Sequence, residues 1–293
     1  MSRSRTLPPG LTACVRSPPM NPSTPFSAIV AARTRAGDIV TFDIAEDWQQ
    51  GRTAYGGIVC AIAAQAMRDV AGADWQPDAY LRALQCSFVS VVAAGRVQVE
   101  VEVLRQGRNV CQVLARVMEG GRLGSVLLGV YSADRPSALT PRRPHRPPAR
   151  LEAEALPSVP FEPERMPPFM QHMEMRWAEG GAPFSGRTGD RSSIHLRLRD
   201  QDSGAILPEV LTVLLADVPT TPALGELAQP ALLSSVTWAL DLHAHGCVET
   251  EGWWRIDSQS LVVEGGYVNH CSRMWAPSGA LAALGTQVVT VFA

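Results

Sequence analysis

An aspartate at the end of a strongly apolar helical segment is the first residue whose placement could support chemistry. Asp217 follows the run VLTVLLA and precedes Pro219 by two residues, so the helix is expected to end near it. A carboxylate at a helix C-terminus faces the negative end of the helix dipole, which should raise its pKa and improve it as a base. A solvated aspartate in a turn before a proline is the alternative interpretation.

Two polar residues in strand-like segments are further candidates. Gln287 is the only large polar side chain in the apolar run LAALGTQVVTVF, and a buried amide must find hydrogen-bond partners. Ser235 lies in SSVTWALDLH, where alternation places it on one face with Thr237 and Asp241. A core glutamine bonded to backbone and a surface serine are the plain alternatives. Ser234 replaces Ser235 if the register slips by one residue.

A pair of glycines and a pair of histidines complete the candidates. Gly56 and Gly57 open the helical segment IVCAIAAQAMRDV, and N–H groups at a helix N-terminus favour negative charge, which suits an oxyanion or a bound substrate. An ordinary loop-to-helix junction explains the glycines equally well. His243 and His245 alternate onto one strand face, but no third ligand is apparent. We therefore predict no metal and no cofactor.

Composition excludes several classes of function. The sequence has no G-x-S-x-G elbow, Walker loop or dinucleotide glycine fingerprint. The formal net charge is −2 and no basic stripe with interleaved aromatics occurs, which argues against a nucleic-acid partner. No stretch approaches the roughly 20 apolar residues that span a bilayer, and no secretory signal is recognisable. Six cysteines without short repeated spacing indicate reduced thiols, so we expect a cytoplasmic protein with no membrane partner.

The elements that must hold these residues fall into two similar pieces, 26–134 and 169–293. Each contains a short strand, one long apolar helix and then antiparallel strands such as RVQVEVEV, with its period of two. Residues 1–25 are predicted to be a disordered extension, and the proline-dense run 135–168 a loosely packed linker. One helix wrapped by a curved antiparallel sheet is the hotdog architecture. We predict an α+β fold of two tandem hotdogs rather than two unrelated α+β domains.

Several segments carry a family resemblance. AYGGIVCAIAAQAM opens a helix with Gly-Gly, and QCSFVSVVAAGRVQVEVEVLRQGRNVCQVLARV forms a strand pair with an Arg-x-Gly element. VLLADVP, SSVTWALDLH and LGTQVVTVF then supply an acidic, a hydroxyl and a glutamine residue in that order. Together these segments resemble the double-hotdog acyl-CoA thioesterases of the thioesterase II type. The resemblance runs from about Gly37 to Ala293 apart from the linker.

The resemblance implies an enzyme of lipid metabolism that hydrolyses acyl-CoA thioesters to free acid and CoA. It assigns the base to Asp217, the hydroxyl to Ser235 and the amide to Gln287, all acting on one water molecule. Ser235 stands where a threonine is usual in the thioesterase II type, but a hydroxyl is kept. The first helix carries no carboxylate until Asp69, so we expect one hydrolytic site per chain.

Two other functions compete with hydrolysis. A non-catalytic acyl-CoA-binding or assembly protein could keep the fold, although it would need none of the three polar residues. A hotdog hydratase would require an Asp/His motif that the sequence lacks. We expect acyl-CoA as the substrate partner and a homo-oligomeric assembly.

Overall fold

The structure is a computed structural model that describes residues 23–72, 78–149, 151–200, 202–243 and 247–293. Almost all of the predicted N-terminal extension lies outside the described residues. His245 also lies outside them, so the predicted histidine pair is described only at His243.

The first half of the chain wraps strands around one long helix. Its elements are α1 (Phe26–Ala31), β1 (Thr34–Ala36), β2 (Ile39–Ile44), β3 (Gln49–Gln50), β4 (Thr53–Ala54), α2 (Gly56–Ala71), β5 (Tyr80–Phe88), β6 (Gly95–Gln106), β7 (Cys111–Glu119) and β8 (Arg122–Ser132). Helix α2 is buried continuously from Gly57 to Met67. Its sequence is apolar on every side, because strands and a second helix surround it.

The second half repeats this arrangement around a shorter helix. Its elements are β9 (Met173–Glu179), β10 (Arg191–Leu198), α3 (Pro208–Ala216), β11 (Leu232–Leu242), β12 (Trp254–Glu264), β13 (Tyr267–Trp275) and β14 (Leu281–Phe292). Helix α3 begins with Pro208, whose missing N–H is not needed at that position. From Glu209 to Ala216 every residue of α3 is buried.

One sheet joins the two halves. Within the described residues it has twelve antiparallel strands in the order β1-β2-β6-β7-β8-β5-β11-β14-β13-β12-β10-β9. The central pair is β5 with β11, where Leu84 lies opposite Leu240. The strand order is symmetric about this pair. Counting outward from it, the first half has β8, β7, β6, β2 and β1, and the corresponding strands of the second half are β14, β13, β12, β10 and β9. Helices α2 and α3 pack against each other on one face. The fused double hotdog predicted from the sequence is confirmed.

The proline-rich linker is anchored more firmly than its composition predicts. Its first part is exposed, but Arg255 donates to the carbonyl of Pro147 at 2.8 Å and Arg176 to that of Ala153 at 2.7 Å. Ala153 is buried. Carbonyls that make no regular ladder still need donors, and arginines from distant strands supply them. The expectation of loose packing is therefore wrong around Pro147 and Ala153. The linker boundaries 135–168 stay a prediction.

Candidate active site

Asp217 caps the C-terminal end of α3. Its backbone, at φ −93° and ψ −2°, is the last in a near-helical conformation, and Pro219 follows two residues later. The sequence predicted this location. The residue is partly exposed, and its carboxyl lies in the wall of a cleft between the two halves.

Gln287 connects the two other candidates. Its side-chain nitrogen donates to Asp217 Oδ1 at 3.1 Å and to Ser235 Oγ at 2.8 Å. Gln287 lies in β14 and is buried, with its amide facing the cleft. Each of the two amide hydrogens therefore has a hydrogen-bond acceptor, as the buried N–H groups of an amide need. We call Asp217, Ser235 and Gln287 the candidate triad.

A β-bulge brings Ser235 into this group. In the pairing of β11 with β14, Val236 is skipped, so Ser235 lies opposite the buried Val289 on the face that also carries Gln287. The sequence-based expectation that Ser235 shares a face with Thr237 is wrong. One extra residue in a bulge reverses the alternation, and simple period-two reading cannot detect it.

The N-terminus of α2 meets Asp217 from the opposite side. The backbone N–H of Gly57 acts as a hydrogen-bond donor to the Asp217 carboxyl. A β-carbon at Gly56 would lie 2.7 Å from Asp217 Oδ2, so no larger residue fits there without displacing the carboxylate. Gly57 is predicted as an oxyanion donor or substrate-binding residue, whereas in the structure its N–H donates to the carboxyl of Asp217. Gly56 lines the cleft, and its oxyanion role stays a prediction.

Tyr55 fixes this helix junction and was missed by the sequence analysis. Its hydroxyl donates a 2.7 Å hydrogen bond to the carbonyl of Leu214, one turn before the end of α3, and its ring stacks on Phe169. Tyr55 is fully buried. An aromatic residue directly before Gly-Gly in AYGGIV was the available signal. The contact ties the start of α2 to the end of α3.

The electrostatic state of Asp217 follows from its surroundings. Burial raises the pKa of Asp217 to about 7, against lowering by the donors from Gln287 and Gly57. The direction of this pKa shift agrees with the prediction, but the dipole of α3 is not its main cause. Desolvation is the main cause, because protein surrounds most of this carboxylate, although it is partly open to the cleft, and removes much of the water that would stabilise its charge. Near neutral pH both protonation states of the carboxyl are therefore populated, which suits a general base.

The cleft above the triad measures about 290 Å³. The β3–β4 hairpin, the start of α2, residues 88–92 and the segment after Asp217 form its walls. Apolar and polar side chains line the cleft in about equal numbers, and the apolar ones include Val59, Phe88, Leu233 and Val289. A site of this kind can hold an apolar group while placing a few polar atoms against one bond.

The corresponding position in the first half is filled. Strand β5 bulges at Arg82 where β11 bulges at Val236, which sets the two halves in register. The counterparts of Ser235 and Gln287 are then Leu81 and Gly129. A β-carbon at Gly129 would lie 2.6 Å from Met67 Sδ, so a methionine occupies the space of the glutamine. This agrees with the expectation of one hydrolytic site per chain.

No metal-binding cluster of three or more His, Cys, Asp or Glu side chains occurs within the described residues. His243 is half-buried, and burial lowers its pKa. In the part of the chain that the structure describes, no helix combines the length and apolarity needed to cross a bilayer.

Family models match both halves of the chain. A model described as the acyl-CoA thioesterase N-terminal domain matches residues 44–133, and one described as the acyl-CoA thioesterase C-terminal domain matches residues 152–291. Among curated proteins, none matches the sequence.

Solved structures similar to this one extend over nearly the whole chain. A putative thioesterase II from Thermobifida fusca superposes with a TM-score of 0.75 at 17% identity, covering 92% of this chain and 98% of its own. A tesB protein of Mycobacterium avium subspecies paratuberculosis gives 0.72 at 16%, with 90% and 97% covered. A putative thioesterase from Novosphingobium aromaticivorans gives 0.67 at 20%, with 89% and 99% covered. At such identities the likeness establishes the fold, and the two domain matches in tandem add the family: the chain belongs to the double-hotdog acyl-CoA thioesterases.

Proposed function

We propose that the protein hydrolyses acyl-CoA thioesters to a free acid and CoA, with a water molecule activated by the candidate triad. The observation that carries the proposal is the pair of hydrogen bonds from Gln287 to Asp217 and Ser235 at the base of the cleft. Ser235 and Asp217 precede Gln287 in the sequence by 52 and 70 residues, yet both accept a hydrogen bond from its amide nitrogen.

Asp217 is the base in this mechanism. With a pKa of about 7, its ionised form accepts a proton from water strongly enough to assist attack and is still well populated at neutral pH. The water oxygen then bonds to the thioester carbonyl carbon, and the carbonyl electrons move onto oxygen. Collapse of this intermediate breaks the C–S bond, and CoA leaves as a thiolate that takes up a proton.

Ser235 and Gln287 position the water. Because Ser235 Oγ accepts from Gln287, its own hydrogen is directed elsewhere and can reach a water beside Asp217. Holding the nucleophile and the base in one geometry before the reaction lowers the activation barrier, because the entropy needed to bring them together has already been lost on binding. We assign the developing oxyanion to the N–H of Gly56 at the start of α2, where the helix dipole favours negative charge.

A thiol-release assay on acyl-CoA substrates of increasing chain length tests the function directly. We expect release of CoA that depends on enzyme concentration and is greatest for one range of chain lengths. Tight binding of acyl-CoA without thiol release would instead support a non-catalytic binding protein. A role in lipid metabolism, a cytoplasmic location and a homo-oligomeric assembly stay predictions.

A further inference from the structure

The cleft is poor in positive charge relative to its proposed substrate. Among its described lining residues, Asp217 is the only charged side chain. An acyl-CoA carries its own negative charges on a diphosphate and a ribose phosphate, at the opposite end from the thioester. Cations that meet those phosphates must therefore lie beyond the lining. The chain contains no lysine, so arginine is its only side chain with a permanent positive charge.

Arg52 is located at the rim of this cleft. It occupies the turn of the β3–β4 hairpin, between Gln50 and Thr53, which both line the cleft. Its side chain is exposed. Across the described part of the chain it takes part in no hydrogen bond or ion pair. The guanidinium is thus available to an external anion.

The hairpin holds Arg52 in a defined place. The N–H of Ala54 donates to the carbonyl of Val92 at 2.7 Å, and the Thr53 hydroxyl donates to the same carbonyl at 3.2 Å. Gly51, at φ +67°, provides the left-handed conformation that the tight turn requires. The turn is therefore tied to the neighbouring segment 88–92, which also lines the cleft.

We propose that Arg52 binds a phosphate group of the CoA moiety at the mouth of the cleft. This inference rests on the proposed function, since it takes acyl-CoA as the ligand. The planar guanidinium can donate two parallel hydrogen bonds to phosphate oxygens. The pantetheine arm then runs along apolar residues that line the cleft, among them Val89 and Val91. The nucleotide lies at the hairpin and the thioester at Asp217.

Comparing two thioesters with the same acyl group tests this orientation. Acyl-CoA carries the phosphates, and acyl-pantetheine has the same reactive end without them. For Arg52→Ala we expect KM for acyl-CoA to rise roughly tenfold, the size of one lost charged hydrogen bond in a solvent-exposed site. We expect kcat to stay within twofold and KM for acyl-pantetheine to remain at the wild-type value. Arg52→Lys should recover part of the lost affinity for acyl-CoA, because lysine keeps the positive charge but lacks the two parallel N–H donors of the guanidinium.

Ionic strength and a matched arginine provide the controls. Added salt should raise the wild-type KM for acyl-CoA and have little effect on Arg52→Ala. Arg105→Ala removes an exposed arginine from β6, which does not line the cleft, and should match wild type on both substrates. An unchanged KM for acyl-CoA in Arg52→Ala, or an equal rise for both thioesters, would overturn the phosphate contact while leaving hydrolysis intact. A wild-type enzyme that cleaves neither thioester would overturn the proposed function and this contact together.

Discussion

The α-carbon of Gly56 approaches Asp217 so closely that a β-carbon there would come within 2.7 Å of Oδ2. Real β-carbons do not make contacts that short, so the alanine variant must move the carboxylate, the helix start, or both. The first half of the chain, which supplies none of the triad, thereby limits where the Asp217 carboxylate can lie.

Gly56→Ala should lower kcat by one to two orders of magnitude, because a displacement of about 1 Å can cost roughly 100-fold in a positioned reaction. Steady-state kinetics on the preferred acyl-CoA would measure the loss. Gly204→Ala is the matched control, since a β-carbon at Gly204 meets no atom within 4 Å. Equal activity of the two variants would contradict the importance of this contact.

Asp217→Asn should reduce kcat by about 10² to 10⁴-fold, the usual contribution of a general base. The amide is nearly isosteric, so the Gln287 contact and the packing at the end of α3 should change little. Circular dichroism and thermal unfolding would verify the fold. Asp241→Asn removes an exposed carboxylate from β11 and should retain activity. Substantial thiol release by a well-folded Asp217→Asn protein would exclude the assigned base.

Ser235→Ala and Gln287→Ala should each lower kcat less than Asp217→Asn, because each residue only helps to place the water. Their combined effect should be smaller than the product of the single effects, as expected for groups that act on one molecule. A double-mutant cycle in kcat would test this. Thr237→Ala, on the opposite face of β11, serves as the control. Strictly multiplicative losses would indicate that the two side chains act independently.

The raised pKa of Asp217 predicts two opposite pH dependences. Activity should rise with pH and level off above about 7, since only the ionised carboxylate accepts a proton. The free energy of unfolding should behave in the reverse sense. Between the unfolded value of 3.8 and the folded value of about 7, the native state holds a proton that the unfolded chain has lost. Stability from this group therefore declines as pH rises through that window.

Comparing wild type with Asp217→Asn isolates the second effect. The variant has no proton to lose at this position, so its Tm relative to wild type should increase between about pH 4.5, near the lower end of that window, and about pH 7.5, above its upper end. A difference in Tm that is independent of pH would show that Asp217 titrates near its ordinary value.

The sequence predicted the fold because its signals are local. Alternation in RVQVEVEV and the continuous apolar surface of α2 each follow from the environment of that one element. The bulge at Val236 was missed, since an inserted residue leaves no mark in a run as mixed as SSVTWALDLH. It changes the face of Ser235, and only the pairing with β14 reveals it.

Contacts between distant segments were beyond sequence reasoning for a different reason. The partner of the Gly57 N–H depends on how α2 packs against α3, and the arginine donors to the linker depend on which strands lie beneath it. The predicted residues Asp217, Ser235 and Gln287 do converge, but their roles stay predictions until activity is measured. The principal cause of the Asp217 pKa, burial by both halves, was likewise a property of packing.

Met67, which fills the space equivalent to that of Gln287, has a consequence for kinetics. Because this position is blocked, we expect one reaction site for a thioester in each chain. Binding at that site then has no second site in the same chain whose affinity it could change. Rate should then follow substrate concentration along a simple hyperbola. A sigmoidal curve, if one were observed, would have to originate in communication between separate chains.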